Sequence, residues 1–453
     1  SASNESAFSH AALFTGLFPS EVALPRYEEF AIPETATTVG GILQNYGYST
    51  AAFMAGGHVS EHFGFDNGFQ SFRAEKGFAS FWDTTPRALE WLDSQESGDP
   101  WMLVVHGYDA HRPYILPEPF YDMFVKQKGS ELAEQLIRSG EDSERVYKRR
   151  FYPDAPIDWF LHVSGNRIPD PRSYERLRFT ADSIHRGLEL TDQDVQYLQA
   201  HYDSMVAYAD LQVGLFLAAA ERSGYLDNTL VIVTSDHGED LLDHEFVNHR
   251  TALTDSCVRV PLVVAGPGFP VGTRIESLAH ATDIVPTVLK AAGATALAAS
   301  RGIPLQELAA GTASDRSEVY FEGVMDMLAV RTESRKLVWY GSELESPQLT
   351  LQLSKAPLRA ETFDLFDLEN DPGEQTDLLE AGTPEVLAQA EALRSRLVDW
   401  RTTMAAGTHH QSLEDLDPDV RKEMREHGYW ELGENEKQGG DPATEAAPAP
   451  TGE

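Results

Sequence analysis

The sequence has one cysteine, no apolar run long enough to cross a membrane, and half as many basic as acidic residues. A single Cys257 excludes an internal disulfide. A membrane-spanning helix needs about 20 consecutive apolar residues, and no such run occurs. The 72 acidic and 36 basic residues give a formal net charge of −36, which repels phosphate backbones and anionic membrane surfaces. We therefore exclude nucleic acid as the main partner and predict no membrane span.

The length and composition are those of a globular enzyme-sized protein. The 453 residues are 42% hydrophobic and 24% charged, enough for a sizeable buried core. Near residue 295 an alanine-rich stretch gives way to short β-like segments. Beyond about residue 407 the sequence becomes acidic and polar without periodicity. We predict a large domain over residues 1–300, a C-terminal subdomain over 301–405, and a largely disordered acidic tail over 406–453.

Continuous apolar runs alternate with helical patterns in the first part of the sequence. The runs at 101–106, 229–234 and 260–265 are typical of strands buried on both faces. Thr85 and Pro86 form the N-cap and first-turn pattern of one helix, and a three-and-four apolar spacing predicts a long helix over about 191–223. Strands that alternate with helices predict an α/β sheet covered on both faces.

Short β-like segments characterise the region after residue 295. The segments at 318–320, 327–331 and 336–340 predict a small antiparallel sheet. Thr383 and Pro384 then match the N-cap and first position of a helix with one apolar face. The C-terminal subdomain is therefore predicted to be a small antiparallel sheet with one helix.

Candidate chemistry begins with Asp236 and His237, which directly follow the strand predicted over 229–234. Open α/β sheets bind their ligands at the carboxyl ends of strands. The pair alone leaves two interpretations open, a divalent metal site or an aspartate that caps a turn beside a solvent-facing histidine. Further polar residues in the following loop and at the end of the 101–106 strand favour a polar pocket: Asp243, His244, His249, Arg250, His106, Asp109 and His111.

A small, hydroxyl-rich segment occupies the N-terminal region and leads into a helix predicted to begin near Ser9. A hydroxyl or oxyanion at such a helix N-terminus is favoured by the exposed backbone N–H groups and the helix dipole. Ser6 or Ser9 could equally be an ordinary N-cap, and the segment taken alone favours that interpretation.

Several ordered motifs resemble the sulfatase family of the alkaline-phosphatase superfamily. Residues 6–16, SAFSHAALFTG, align with the signature C-x-P-S-R-A-A-L-x-T-G. Further matches follow in order, namely HGYDAHRPY at 106–114, YDSMVAYADLQVG at 202–214, TLVIVTSDHGE at 229–239 and ETFDLFDLENDPGE at 361–374. The resemblance thus covers nearly all of residues 1–400. It implies a central, mainly parallel sheet flanked by helices, with a smaller C-terminal antiparallel sheet and helix.

The resemblance also implies roles for individual residues. Ser6 takes the position of the nucleophile, which family members convert to formylglycine. Phe8 and His10 depart from the modification signature, so conversion and an unmodified hydroxyl nucleophile both stay open, and His10 replaces the basic group that steadies the nucleophile. Asp236 and His237 would be metal ligands. Two further residues, His249 and His111, would be a donor to the transferring oxyanion or leaving oxygen and a candidate acid or substrate contact.

The implied cofactor is a divalent metal ion, with Ca²⁺ first and Mg²⁺, Mn²⁺ or Zn²⁺ as alternatives. Family members carry two further aspartate ligands on a strand before the nucleophile, and no aspartate precedes Asp66. We therefore expect an N-terminally incomplete member with weak metal binding and little activity as given, because hard cations usually take six or more ligands.

The predicted activity is hydrolysis of sulfate esters by metal-assisted nucleophilic displacement. The substrate would be a small-molecule or carbohydrate sulfate ester, and the location periplasmic or secreted. Two alternatives stay open, a phosphodiesterase or phosphonate monoester hydrolase of the same superfamily, and a catalytically silent binding protein with the sulfatase fold. The oligomeric state cannot be derived from the sequence.

Overall fold

The computed structural model describes most of the chain. The described residues are 1–23, 30–75, 79–96, 98–111, 120, 123–130, 133–134, 137, 191–244, 247–249, 252–295, 300–312, 316–324, 327–341, 353, 355–359 and 362–404. The acidic tail predicted over 406–453 lies outside them, and the proposed division into domains stays a prediction.

Helices and strands alternate through the first part of the chain and then give way to consecutive strands. The α-helices are α1 (Ser6–Thr15), α2 (Pro19–Val22), α3 (Val39–Asn45), α4 (Phe81–Asp93), α5 (Asp192–Arg222), α6 (Asp255–Val258), α7 (Ile284–Ala291), α8 (Leu305–Ala310) and α9 (Pro384–Thr403). The strands are β1 (Ser49–Met54), β2 (Ser71–Ala74), β3 (Trp101–Val105), β4 (Val231–Thr234), β5 (Asp240–Leu241), β6 (Val247–Asn248), β7 (Leu262–Ala265), β8 (Glu318–Glu322), β9 (Leu328–Thr332), β10 (Arg335–Trp339) and β11 (Phe363–Asp367).

Five strands in the first part of the chain, β1 to β4 and β7, form two groups. Strands β2, β1 and β3 pair in that order and are parallel, whereas β4 and β7 form an antiparallel pair. The strands predicted from the three apolar runs are therefore confirmed. Their complete burial is not, since β3 and β4 are half-buried along their whole length and β7 alternates between half-buried and exposed. Within the described residues each of these three strands pairs with one neighbouring strand.

The helix starts follow local capping residues, with one exception to the prediction. Helix α5 begins after Thr191, whose side chain accepts a hydrogen bond from the Asp194 N–H, as expected for the long helix. Helix α4 begins five residues earlier than predicted. Ser80 is its N-cap and Pro86 lies inside the helix, so the Thr85 cap was wrong. The carboxylate of Asp109 accepts hydrogen bonds from the Ser80 hydroxyl and the Phe81 N–H, and this tertiary contact fixes the earlier start.

The C-terminal sheet is antiparallel with the order β11-β10-β9-β8. Three of its strands match the predicted segments, and β11 is the strand that the periodicity analysis did not identify. Helix α9 begins after Thr383, as predicted, and buries Leu393 and Leu397 against the sheet in a core shared with Trp339 and Phe363. The mixed α/β class with a separate antiparallel sheet is confirmed.

A buried ion cluster joins this sheet to the first part of the chain. The Nζ of Lys336, on β10, lies 2.6 Å from Asp255 Oδ1 and 2.8 Å from Glu374 Oε1, and the Lys336 side chain is fully buried. Arg331 lies 3.3 Å from the same Asp255 carboxylate. Burial raises the pKa of Asp255, but Lys336 and Arg331 outweigh it and lower that pKa below its usual range. Asp255 is therefore held as a carboxylate between two cations.

A search of the described helices for a membrane span finds none that combines the necessary length and apolar character.

Candidate active site

Ser6 is the first residue of helix α1, and its hydroxyl faces the loop after β4. The N-cap is Glu5, and its side chain makes no capping hydrogen bond. Ser6 Oγ lies 3.1 Å from His237 Nε2, across 231 residues of sequence. The Ser9 hydroxyl instead bonds the backbone of Ser3. The expected start near Ser9 and the N-cap role for either serine were therefore wrong, and Ser6 Oγ is a buried group that meets a histidine.

The loop after β4 places Asp236 and His237 beside Ser6. His237 Nδ1 donates to the Gly238 carbonyl at 2.8 Å, which leaves Nε2 as the ring nitrogen that accepts from Ser6 Oγ. Asp236 Oδ1 accepts from the His237 N–H at 3.0 Å. Asp236 Oδ2 is buried and has no hydrogen-bond partner within the described part of the chain. A buried carboxylate oxygen without a hydrogen-bond partner destabilises the folded state unless a positive charge lies close to it.

Gly238 holds this loop against α6, and replacing it with alanine should destabilise the protein. A Cβ at Gly238 would lie 2.0 Å from the Ser256 carbonyl oxygen, while the Gly238 N–H bonds the Cys257 carbonyl at 2.7 Å. Because neither backbone can move freely, we expect Gly238→Ala to lower the free energy of unfolding by about 1–3 kcal/mol.

The matched control is Gly214→Ala, within helix α5. Among the described residues no atom beyond the helix backbone lies within 4 Å of the added Cβ. Alanine should therefore stabilise the helix by about 0.5–1 kcal/mol. Denaturant unfolding of both variants measures whether each substitution lowers or raises the free energy of unfolding. A Gly238→Ala protein as stable as the wild type would contradict the close packing at Gly238.

His10 lies one helical turn after Ser6 and faces the same pocket. Its Nδ1 is 2.9 Å from the Ser6 carbonyl oxygen and 3.5 Å from Asp236 Oδ2. Burial lowers the pKa of His10, and the opposing attraction of Asp236 does not restore it. A neutral imidazole is thus favoured at neutral pH. The structure places His10 beside Ser6, but the environment of His10 opposes the cationic role that the resemblance implied.

His106 follows β3 and completes a cluster around Asp236. Its ring centroid lies 4.9 Å from that of His10 in an edge-to-face arrangement. Burial, followed by the charge of His10, lowers the pKa of His106 to about 3. Burial would raise the pKa of Asp236, but His237, His10 and His106 oppose it and lower that pKa below its usual range. At neutral pH these pKa shifts favour a carboxylate at Asp236 and neutral imidazoles at His10 and His106.

These residues fit a bound divalent metal. One ligand atom each from His10, His106 and Asp236 lies within 4.8 Å of the other two. Neutral imidazole nitrogen and carboxylate oxygen suit Zn²⁺ and other transition metals, whereas Ca²⁺ takes six to eight oxygen ligands. Among the four metals that the resemblance implies, the two imidazoles suit Zn²⁺, whereas the carboxylate suits Ca²⁺, Mg²⁺ and Mn²⁺ as well.

His249 and His111 extend the pocket beyond His237. The His249 ring stacks on His237 with centroids 4.0 Å apart, and His111 lies 5.4 Å from His249. The Nδ1 of His249 is 3.2 Å from Glu239 Oε1, and both side chains are buried. The structure thus brings together all six predicted site residues. Glu239 was missed, although it directly follows the Asp-His-Gly motif.

Other predicted pocket residues serve the fold. Asp109 caps helix α4, and burial raises its pKa. His244 bonds the Asp240 carboxylate and the Gly373 carbonyl, and Asp243 is exposed. Arg250 lies outside the described residues. A buried pair, Glu5 Oε1 and His58 Nδ1 at 3.0 Å, adjoins Ser6 and had no signal in the sequence pattern.

Comparison with protein families identifies the group to which the protein belongs. A family model described as "Sulfatase" matches residues 1–294. The chain belongs to the sulfatase family. A second family model, described as "N-sulphoglucosamine sulphohydrolase, C-terminal", matches residues 243–403. The resemblance inferred from the motifs is therefore confirmed. Sulfatases generally use a divalent metal and formylglycine.

Similar curated proteins span several activities. The chain is 26% identical over 363 residues to the multifunctional alkaline phosphatase superfamily protein PehA of Trinickia caryophylli, covering 75% of this chain and 63% of that protein. It is 22% identical to arylsulfatase K of Bos taurus, covering 90% and 75%. It is 26% identical to choline-sulfatase of Rhizobium meliloti, covering 64% and 48%. The chain thus spans between about half and three quarters of the length of these relatives.

Solved structures share the fold over nearly the whole chain. BT4656, solved in complex with D-glucosamine-2-N,6-O-disulfate, has a TM-score of 0.64 at 19% identity, covering 92% of this chain and 90% of that one. The phosphonate monoester hydrolase of Agrobacterium radiobacter has a TM-score of 0.63 at 19% identity, covering 92% and 89%. At these identities the likeness establishes the α/β fold alone.

Proposed function

We propose that this protein hydrolyses sulfate esters by nucleophilic displacement at Ser6. The observation that carries the proposal is the 3.1 Å contact between Ser6 Oγ and His237 Nε2 at the start of helix α1. A histidine nitrogen with a free lone pair is the group that activates a hydroxyl nucleophile. The first N–H groups of the helix favour negative charge at the same place. Membership of the sulfatase family supports a sulfuryl group as the electrophile.

The proposed reaction assigns one role to each of these side chains. The Ser6 oxygen attacks sulfur, the bond from sulfur to the ester oxygen breaks, and the Ser6 proton passes to His237 Nε2. His249 stacks on His237, and His111 lies beside His249. One of these two imidazoles, when protonated, would give a proton to the leaving oxygen. Water then attacks sulfur and the bond from sulfur to the Ser6 oxygen breaks. His237 returns its proton to that oxygen, and the proton lost by the water restores the imidazole that acted as the acid, so that sulfate is released. A divalent metal at this pocket would supply Lewis-acid polarisation of a sulfuryl oxygen.

The state of Ser6 is part of the proposal. Formylglycine at this position would supply an aldehyde hydrate as the nucleophile. Phe8, two residues on, is fully buried and packs on Phe30 with ring centroids 4.7 Å apart. It therefore serves the core and differs from the proline of the signature, as His10 differs from the arginine. We propose that Ser6 acts as an unmodified hydroxyl.

A phosphoester or phosphonate ester is the second candidate substrate class. An unmodified hydroxyl beside an imidazole suits phosphoryl transfer as well, because that chemistry needs no aldehyde hydrate. A small-molecule or carbohydrate sulfate ester is still the proposed substrate class. A periplasmic or secreted location stays a prediction.

The test is turnover of matched aryl substrates by the purified protein supplied with Zn²⁺ or Mn²⁺. An aryl sulfate, an aryl phosphonate monoester and an aryl phosphodiester share one chromogenic leaving group. We expect the largest kcat/KM for the sulfate. A larger kcat/KM for either phosphorus ester would move the protein to the second candidate class, and no turnover of any of the three would overturn the hydrolase proposal.

A further inference from the structure

A two-stranded ribbon after the Asp-His-Gly motif brings Glu239 and His249 together. Strands β5 and β6 are antiparallel, with Asp240 opposite Asn248. The next pair in the same register is Glu239 and His249, which directly flank the ribbon. Residues opposite each other on an antiparallel pair have Cβ atoms about 4.5–5.5 Å apart. The register of the ribbon therefore places a carboxylate beside an imidazole.

The pair is buried and reaches the proposed nucleophile through a second imidazole. His249 Nδ1 lies 3.2 Å from Glu239 Oε1, and each of the two side chains is 4% exposed. The His249 ring stacks on His237 with centroids 4.0 Å apart and 27° between the ring planes. His237 Nε2 in turn lies 3.1 Å from Ser6 Oγ. Three contacts therefore lead from Glu239 to the Ser6 hydroxyl.

The contact with Glu239 selects one of the two ring nitrogens of His249. An ionised carboxylate accepts hydrogen bonds and donates none. Nδ1 therefore carries a hydrogen where it meets Glu239, and proton exchange with a ligand falls to Nε2. Because both side chains are buried, water does not readily replace the carboxylate as the acceptor.

Stacking alone does not determine which way the His249 ring points. Half a turn about the Cβ–Cγ bond leaves the plane of an imidazole unchanged and exchanges each nitrogen with a carbon position. The stack on His237 is therefore compatible with both orientations. The Glu239 contact distinguishes them, because only one orientation puts Nδ1 beside the carboxylate. Without Glu239, the ring should also populate the orientation that puts a carbon where the donor nitrogen belongs.

We propose that Glu239 is a positioning residue for ester cleavage and acts through His249. The inference rests on the proposed function, because it concerns the group that holds the acid of that reaction. As the bond from sulfur to the ester oxygen breaks, the leaving oxygen takes the bonding electron pair and His249 Nε2 gives it a proton. The hydrogen on Nδ1 stays bonded to Glu239 throughout, so the ring keeps its orientation during the transfer.

The test compares two substrates that differ in their leaving group, 4-nitrophenyl sulfate and phenyl sulfate. The purified full chain is supplied with Zn²⁺ or Mn²⁺. Nitrophenolate leaves without a proton much more readily than phenolate, so only the second substrate depends strongly on an acid. We expect Glu239→Ala to lower kcat/KM by about 100-fold or more for phenyl sulfate and by less than about tenfold for 4-nitrophenyl sulfate. Glu239→Gln retains an oxygen that accepts from Nδ1 and should stay within about tenfold of the wild type on phenyl sulfate.

Two further variants show whether Glu239 acts through His249. In a His249→Ala background, Glu239→Ala should lower kcat/KM by no more than about twofold further, because the ring that it positions is gone. The control for loss of a buried carboxylate is Glu322→Ala. Glu322 lies on β8, is buried and accepts from the Ser20 N–H at 2.7 Å. Its replacement should change kcat/KM for the two sulfates by the same factor.

The outcomes separate this inference from the proposed function. Equal losses on the two sulfates in Glu239→Ala would overturn the positioning role, even in a protein that hydrolyses both esters. Losses that multiply in the double variant would show that Glu239 acts independently of His249 and would overturn it as well. A wild-type protein that hydrolyses neither sulfate would overturn the proposed function, and with it the role of Glu239 in the reaction.

Discussion

Replacing Ser6 with alanine should reduce kcat/KM for an aryl sulfate by about 10⁴-fold or more. The variant removes the only atom proposed to attack sulfur and leaves His237 Nε2, 3.1 Å from Ser6 Oγ in the wild type, without its proton donor. Steady-state hydrolysis rates of the wild type and the variant at known enzyme concentration give the two kcat/KM values to be compared.

The control for the Ser6 variant is Ser204→Ala. Ser204 is a buried serine on helix α5 whose hydroxyl donates to the Ala200 carbonyl at 2.8 Å. It is not part of the proposed site, so kcat/KM should stay within about twofold of the wild type. Ser6→Ala with more than a tenth of the wild-type activity would show that another group is the nucleophile.

Replacing Lys336 with alanine should lower the free energy of unfolding by about 3–5 kcal/mol. The substitution leaves the carboxylates of Asp255 and Glu374 buried beside one another, with Arg331 as the remaining cation near Asp255. Lys336→Met keeps most of the side-chain volume and should lose a similar amount, because the missing charge dominates. Urea unfolding of both variants measures the effect.

An exposed ion pair provides the comparison for Lys336. Lys290 Nζ lies 2.7 Å from Glu307 Oε1, and both side chains are more than a third exposed. Water and salt screen such a pair, so Lys290→Ala should change the free energy of unfolding by no more than about 1 kcal/mol. Equal losses for Lys290→Ala and Lys336→Ala would contradict the importance assigned to burial.

Local signals predicted the helices whose ends depend on neighbouring residues. Thr191 with Asp194, and Thr383 with Pro384, specify their helix starts within four residues of sequence, and both predictions were confirmed. The sequence pattern predicted the start of helix α4 at Thr85 and Pro86, and that prediction was wrong. The Asp109 carboxylate, 28 residues beyond Phe81, decides for Ser80, and no local pattern contains that information.

Burial of the strands depends on which elements lie beside them. The runs at 101–106 and 229–234 are apolar enough for a central strand, but β3 and β4 each have one paired neighbour among the described residues. Apolar content therefore predicted the strands correctly and their environment incorrectly. The antiparallel pairing of β4 with β7 is likewise a property of the connection between them.

The candidate site could be predicted as a set of residues but not as a geometry. Motif resemblance supplied Ser6, His10, Asp236 and His237, and their spacing in sequence says nothing of the contact that joins Ser6 to His237. His106 was identified only as a polar residue at a strand end. Its proximity to His10 requires α1 and β3 to lie side by side, which is a property of the tertiary fold.

The most direct test of displacement at Ser6 is the mass of the Ser6 peptide from protein quenched during turnover of an aryl sulfate. The account predicts a sulfuryl group on the Ser6 oxygen while substrate is present, and an unmodified serine before it is added. An aldehyde at residue 6 would agree with residue 6 as the position of the nucleophile but would contradict the proposal that Ser6 is unmodified. Turnover with a Ser6 peptide that never carries a sulfuryl group and shows no aldehyde would contradict the account itself.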